Sequence, residues 1–208
     1  MDGLTPISTP RLRLVRMQDH HLEPHAQLCT DAQTMQYVGA GLALSPDAAV
    51  ALGRKMLDHW ARHGYGPLMI ERQVDGQLIG RTGLWFPQER DEPELIWLLG
   101  RAWWGRGYAL EAVNAARRVA AACWGVDRPV SLIHPRNVRS LSLARRLGAR
   151  VERVVEIGEL AVQVWRHVLP PVEPPARPAC PAQAAPDQAE DDPARRTEAL
   201  PGRRIGGD

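Results

Sequence analysis

Two glycines one residue apart, in Trp104-Gly-Arg-Gly-Tyr-Ala109, stand between an apolar run, Glu94 to Leu99, and a helical pattern that begins near Tyr108. Such a turn admits positive φ and lets the backbone approach a ligand closely. Its N–H groups, added to the positive end of the following helix, suit a phosphate or diphosphate. On the glycines alone, a plain strand-to-helix turn is an equal reading. Asn137 stands where the next helical pattern starts, as a residue type that caps helices. His20, His21 and His25 could gather around a metal ion. No acidic or cysteine residue completes a ligand set at a recognisable spacing, so solvated surface histidines are expected. Cys29, Cys123 and Cys180 show no metal or redox spacing, which implies a reducing compartment. The first two fall in helical patterns, as small buried side chains.

The elements that must position these groups can be read in order. Leu12 to Arg16 alternates apolar with basic residues as an edge-like first strand. Residues 19 to 38 form one or two short helices. Ser45-Pro46-Asp47 starts a helix, with Val50, Gly53, Leu57 and Trp60 on its packed face and Gly64 and Gly66 as its stop. Met69 to Glu71 and Leu78 to Trp85 are strands joined at Asp75-Gly76, and a second hairpin runs through Pro87 to Pro93. The central strand, Glu94 to Leu99, enters the glycine turn. The next helix runs to about Trp124 with a stripe of Leu110, Val113, Ala116, Ala120 and Cys123. A right-handed crossover then lays Pro129 to Ile133 parallel to the central strand. After Asn137 a helix buries Leu141, Ala144 and Leu147 and ends at Gly148. Val151 to Val155 and Ala161 to Val168 close the sheet as an antiparallel pair.

Trp104-Gly-Arg-Gly-Tyr-Ala-Leu-Glu-Ala112, the strand before it, His134-Pro-Arg-Asn-Val-Arg-Ser140 and Leu147-Gly148 after it, and Ser8-Thr-Pro-Arg-Leu-Arg-Leu14 near the start occur in an order that resembles the GNAT superfamily of N-acetyltransferases. The similarity is greatest to the Rim-type branch that acetylates ribosomal-protein amino termini, and it covers about residues 8 to 168. One position departs: Ala102 replaces the Gln or Arg that often opens the phosphate loop, with Arg101 one residue early. The resemblance implies an α/β GNAT fold, a mixed and mostly antiparallel twisted sheet of six to seven strands with a splayed parallel central pair and flanking helices. It also implies acetyl-CoA as co-substrate, without a metal. Main-chain groups of Trp97, Leu98 and Leu99 would pair with the pantetheine arm, and an N–H near Leu98 would face the oxyanion. Trp104, Gly105, Arg106, Gly107, Tyr108 and Ala109 would hold the diphosphate, with Asn137 beside the pantetheine or adenylate.

Acetyl transfer to an amine needs a neutral nucleophile, a stabilised oxyanion and a proton for the departing thiolate. By the same resemblance Glu94 is the carboxylate that removes the amine proton, and Ser140 the hydroxyl that protonates the thiolate. As bare residues, Glu94 is also a strand-end carboxylate and Ser140 a first-turn helix serine. His134, near the end of the splayed strand, is a second base candidate, and a turn histidine as a bare residue. A non-catalytic acyl-CoA-binding module is the alternative to an enzyme. The amine acceptor stays open among protein amino termini, small amines and amino acids.

Composition narrows the rest. The chain has 208 residues, 44% hydrophobic and 24% charged, which fits one globular domain plus an extension. Residues 169–208 hold five Arg against seven Asp/Glu and half of the 18 prolines, so they read as a disordered tail behind a domain at 1–168. The net charge of +2 and the dispersed arginines speak against nucleic acid as partner. The expected protein is cytoplasmic, with no signal peptide or membrane span, and a monomer or homodimer.

Overall fold

The computed structural model describes residues 5–86, 92–158 and 160–168. Their elements run β1 (Ile7–Ser8), β2 (Leu12–Arg16), α1 (Leu22–Thr30), α2 (Ala32–Met35), α3 (Pro46–His63), β3 (Pro67–Arg72), β4 (Leu78–Trp85), β5 (Glu94–Leu99), α4 (Tyr108–Trp124), β6 (Val130–Ile133), α5 (Val138–Arg146), β7 (Arg150–Ile157) and β8 (Leu160–Arg166). Local chemistry sets several boundaries. The Ser45 hydroxyl accepts from Ala48 N–H at 3.3 Å, and Gly64, at φ +67°, ends α3. Gly76, at φ +69°, turns the chain from β3 to β4.

The strands form one sheet in the order β1-β2-β3-β4-β5-β6-β8-β7, and every neighbouring pair is antiparallel except β5 and β6. There are thus eight strands among the described residues where six to seven were expected; two-residue β1 is one of them. Its pairing moves β2 from the edge to the interior. Alternation along each strand divides the side chains between two layers. In β3, Leu68 and Ile70 pack beneath α4, whereas Met69 between them meets Met56 of α3. Ala112, Ala115, Ala116 and Ala120 of α4 are all buried, and side chains this small let the helix lie close to the sheet.

Three expectations shift at this level. The packed face of α3 runs through Ala49, Gly53, Met56, His59 and Trp60, leaving Val50 and Leu57 half-buried. In α4, Leu110 and Cys123 flank the buried stripe and do not fill it. β8 ends at Arg166, and Val168 is exposed. The hairpin expected at Pro87 to Pro93 lies largely, and the tail at 169–208 wholly, outside the described residues.

The histidines depart furthest. His21 and His25 are buried, against the expected solvated positions. His20, His21 and Glu71 bring possible ligand atoms within 4.8 Å of one another, an acidic partner that spacing did not reveal. Yet the Gln18 N–H donates to His21 Nδ1 at 3.0 Å, so Nε2 bears the hydrogen and donates to Glu71 Oε1 at 3.1 Å. His21 is thereby wired as a structural link between the segment before α1 and β3. His25 Nε2 accepts from the buried Arg81 guanidinium, which also reaches Cys29 Sγ at 3.3 Å. Burial and the Arg81 charge push His25 down to about 3, so it stays neutral and can accept.

Candidate active site

The parallel pair parts almost as soon as it forms. β5 and β6 share one register position, Glu94 with Val130, against six positions between β4 and β5. A buried polar chain closes the apex: Ser131 Oγ donates to Leu95 O at 2.5 Å and accepts from His167 Nε2 at 2.9 Å. Beyond it the strands diverge, and a cleft of about 390 Å³ opens between the end of β5, the turn before α4 and the first two turns of α5.

Alternation decides which main-chain groups of β5 face this gap. Leu95 O takes the Ser131 hydroxyl from the β6 side, while Ile96 O takes the Thr82 hydroxyl and Gly100 N donates to Ile79 O, both on the β4 side. Odd-numbered residues therefore offer N–H and C=O to the cleft, and even-numbered ones pair with β4. Near Leu98, then, the main-chain groups on the cleft side are those of Trp97 and Leu99, while Leu98 stands opposite Arg81 in the β4 ladder. Leu99 O already accepts from Trp104 Nε1 at 2.8 Å.

The glycine turn is built as its residue types require. Gly105 and Gly107 take φ of +73° and +79°, which only glycine adopts without strain. Among the described residues, the first α4 amide with a main-chain acceptor is that of Glu111, which donates to Gly107 O at 3.2 Å. The amides of Tyr108, Ala109 and Leu110 precede it and point out of the helix end. Trp104, Gly105, Gly107, Tyr108 and Ala109 all line the cleft. Arg106 does not; its guanidinium lies over the Trp103 ring at 5.3 Å. Arg101 does not line it either, being paired with Gln33.

Across the cleft, Asn137 Oδ1 caps α5 by accepting from Ser140 N–H at 3.1 Å. Ser140 Oγ in turn accepts from Trp97 Nε1 at 3.1 Å. An indole N–H can only donate, so this contact leaves the serine hydroxyl hydrogen available. Arg139, stacked over Trp104 at 4.5 Å, and Arg146 line the same wall, two turns apart on one face of α5.

Glu94 is not brought to this cleft. It stands at the closed end of the strand pair, half-buried, and its side chain alternates onto the face of Leu98, opposite that of Trp97. His134 sits in the turn after β6, stacked on Tyr37 at 5.2 Å, with Nδ1 accepting from Arg136 N–H at 3.1 Å. It lines a second cavity of about 250 Å³, which shares Gln36 and Tyr37 with the cleft. Sequence reasoning missed the Trp97–Ser140 contact, the apex residues Ser131 and His167, and Thr9 and Arg11, which meet Glu111 behind the glycine turn. Each joins residues far apart in the chain, where no local pattern gives a signal.

The acetyltransferase (GNAT) domain family matches residues 11–150. An acetyltransferase from Agrobacterium tumefaciens str. C58 is 26% identical, with 79% of this chain and 94% of that one covered and a TM-score of 0.70. RimL, a ribosomal L7/L12 α-N-protein acetyltransferase solved with coenzyme A, shares the fold at 16% identity, 79% and 98% coverage and a TM-score of 0.67. So does the microcin C7 self-immunity acetyltransferase MccE, solved with acetyl-CoA and AMP, at 16% identity, 80% and 99% coverage and 0.66.

Proposed function

The chain belongs to the GNAT acetyltransferase family, and from that premise we propose that it is an acetyl-CoA-dependent N-acetyltransferase that moves acetyl to a primary amine by direct attack in a ternary complex. The observation that carries this reading is the cleft between β5 and α5, with outward amides at one end and, along one wall, strand groups of β5 that face away from β4 where β6 has parted from it. Coenzyme A bound in RimL and acetyl-CoA bound in MccE support the choice of donor. The diphosphate lies at Gly105 to Ala109, where the helix end and the oriented amides favour negative charge. The pantetheine arm runs along Trp97 and Leu99, with the amide hydrogens of Asn137 beside it.

In the reaction, the amine lone pair attacks the thioester carbon, a C–N bond forms, and the oxygen becomes an oxyanion that takes an N–H from Trp97 or Leu99. Collapse breaks the C–S bond. Ser140 is the proton donor to the sulfur, because Trp97 holds its oxygen and leaves its hydrogen directed elsewhere. Glu94 is three and five residues along β5 from Trp97 and Leu99, about 10 to 17 Å, so it takes the amine proton only through water. The acceptor enters through the adjoining cavity beside Tyr37 and His134. Residues 1–168 are the working unit, and residues 169–208 an appended tail, of a cytoplasmic monomer or homodimer.

The placement of Glu94 also favours a second reading, an acyl-CoA-binding module without chemistry. Thiol release from acetyl-CoA across a panel of protein amino termini, small amines and amino acids separates the two. Turnover that falls about fivefold to thirtyfold in Ser140→Ala, at unchanged acetyl-CoA affinity, supports the enzyme and the serine's role. Glu94→Gln should lower the rate less and shift its pH profile. Tight acetyl-CoA binding with no amine accelerating thiol release would establish the module.

A further inference from the structure

The segment Thr9-Pro-Arg11, far from the cleft in sequence, is tied to the first turn of α4. Thr9 Oγ1 donates to Glu111 Oε1 at 2.6 Å, and the Arg11 main-chain N–H donates to the same oxygen at 2.9 Å. Arg11 Nε and Nη2 meet Glu111 Oε2 at 2.7 and 2.6 Å. The remaining arm of the guanidinium, Nη1, donates to Arg106 O at 3.0 Å, and its plane lies 4.5 Å from the Tyr108 ring centroid. Burial would raise the Glu111 pKa, but the Thr9 and Arg11 donors outweigh it and hold the carboxyl below its ordinary range.

The consequence comes from peptide geometry. The C=O of Arg106 and the N–H of Gly107 belong to one planar trans unit and point in opposite directions. Arg11 does not line the cleft, whereas Gly105 and Gly107 do. A guanidinium that draws the Arg106 carbonyl to the far side therefore turns the Gly107 N–H toward the cleft. A glycine at φ +79° has little intrinsic preference to hold that orientation by itself.

We propose that Arg11, braced by Glu111 and Thr9, is a positioning residue that orients the Gly107 amide for the donor diphosphate. It acts through the turn and touches neither the donor nor the reacting atoms. The proposal rests on the donor site described above. The ion pair itself adds little stability, since the Arg11 side chain is 46% exposed. Its effect is on the aim of one peptide.

The test uses the full chain with two donors, acetyl-CoA and S-acetylpantetheine, which lacks the diphosphate. Acetyl-CoA is titrated by calorimetry, and S-acetylpantetheine by competition against it. Arg11→Ala should weaken acetyl-CoA about tenfold to a hundredfold, the value of one or two hydrogen bonds to a charged group, and leave S-acetylpantetheine within twofold. Arg11→Lys, a point charge that cannot hold Glu111 and Arg106 O together, should fall between. Glu111→Gln gives a smaller loss of the same donor selectivity, and decides the matter if Arg11→Ala fails to fold. Equal loss for both donors, or no loss of acetyl-CoA, overturns the proposal and leaves the donor site standing. Wild type that binds no acetyl-CoA overturns the donor site, and the proposal with it.

Discussion

Acidifying the protein from pH 7.5 to 5 should remove about 6 kcal/mol of stability, and three buried histidines account for it. Burial and the Arg81 charge push His25 down to about 3. His59 falls to about 4 through burial and the neighbouring His63, and His167 to about 4 through burial and Arg117. All three are almost wholly shielded from solvent. The sign follows from linkage. Near pH 5 the unfolded chain, with histidines near their ordinary 6.5, binds three protons that the native state refuses, so stability falls with pH. It is fully present well above pH 6.5 and is lost progressively down to about 4 for His59 and His167 and about 3 for His25. At pH 5 each histidine accounts for roughly 1.5 pH units of unfavourable protonation, about 2 kcal/mol at 1.36 kcal/mol per unit. The sum is a large share of the 5–15 kcal/mol typical of a domain. Glu92 and Glu111, whose carboxyls are held below their ordinary 4.5, add to acid lability only below about that pH, so they contribute little at pH 5. Urea titrations followed by tryptophan fluorescence at half-unit pH steps measure the slope, expected at about 4 kcal/mol per pH unit near pH 5. A slope at or below about 1.4, equivalent to one proton, would refute the assignment of these histidines as neutral and buried.

Two further outcomes follow from the walls of the cleft. A Cβ on Gly80 would sit 2.2 Å from Leu98 O and 3.0 Å from Leu99 Cα, both backbone atoms of the strand that borders the cleft. Gly80→Ala should therefore lower unfolding stability by about 2 kcal/mol or more and weaken acetyl-CoA binding, measured by urea midpoint and calorimetry. Arg146 is exposed on the cleft wall of α5, so Arg146→Ala should weaken acetyl-CoA about fivefold and its 3′-dephospho analogue less, in paired calorimetric titrations.

What the sequence determined by itself is local. The glycines at 105 and 107, the Ser45 and Asn137 caps, the Asp75-Gly76 turn and the strand from Glu94 to Leu99 act through φ preference or hydrogen bonds spanning a few residues, and they stand where the residue types place them. Order along the chain also implied the parallel crossover, since handedness leaves one arrangement. Only the tertiary structure decided what meets across distance. It put Trp97 against Ser140, 43 residues away, and Arg11 against Glu111, 100 residues away. It buried His21 and His25, and it left Glu94 at the closed end of the strand pair. The physical reason is that such contacts depend on which faces pack and where a ladder ends. Those outcomes are set by the summed burial of many side chains, and no short stretch of sequence carries them.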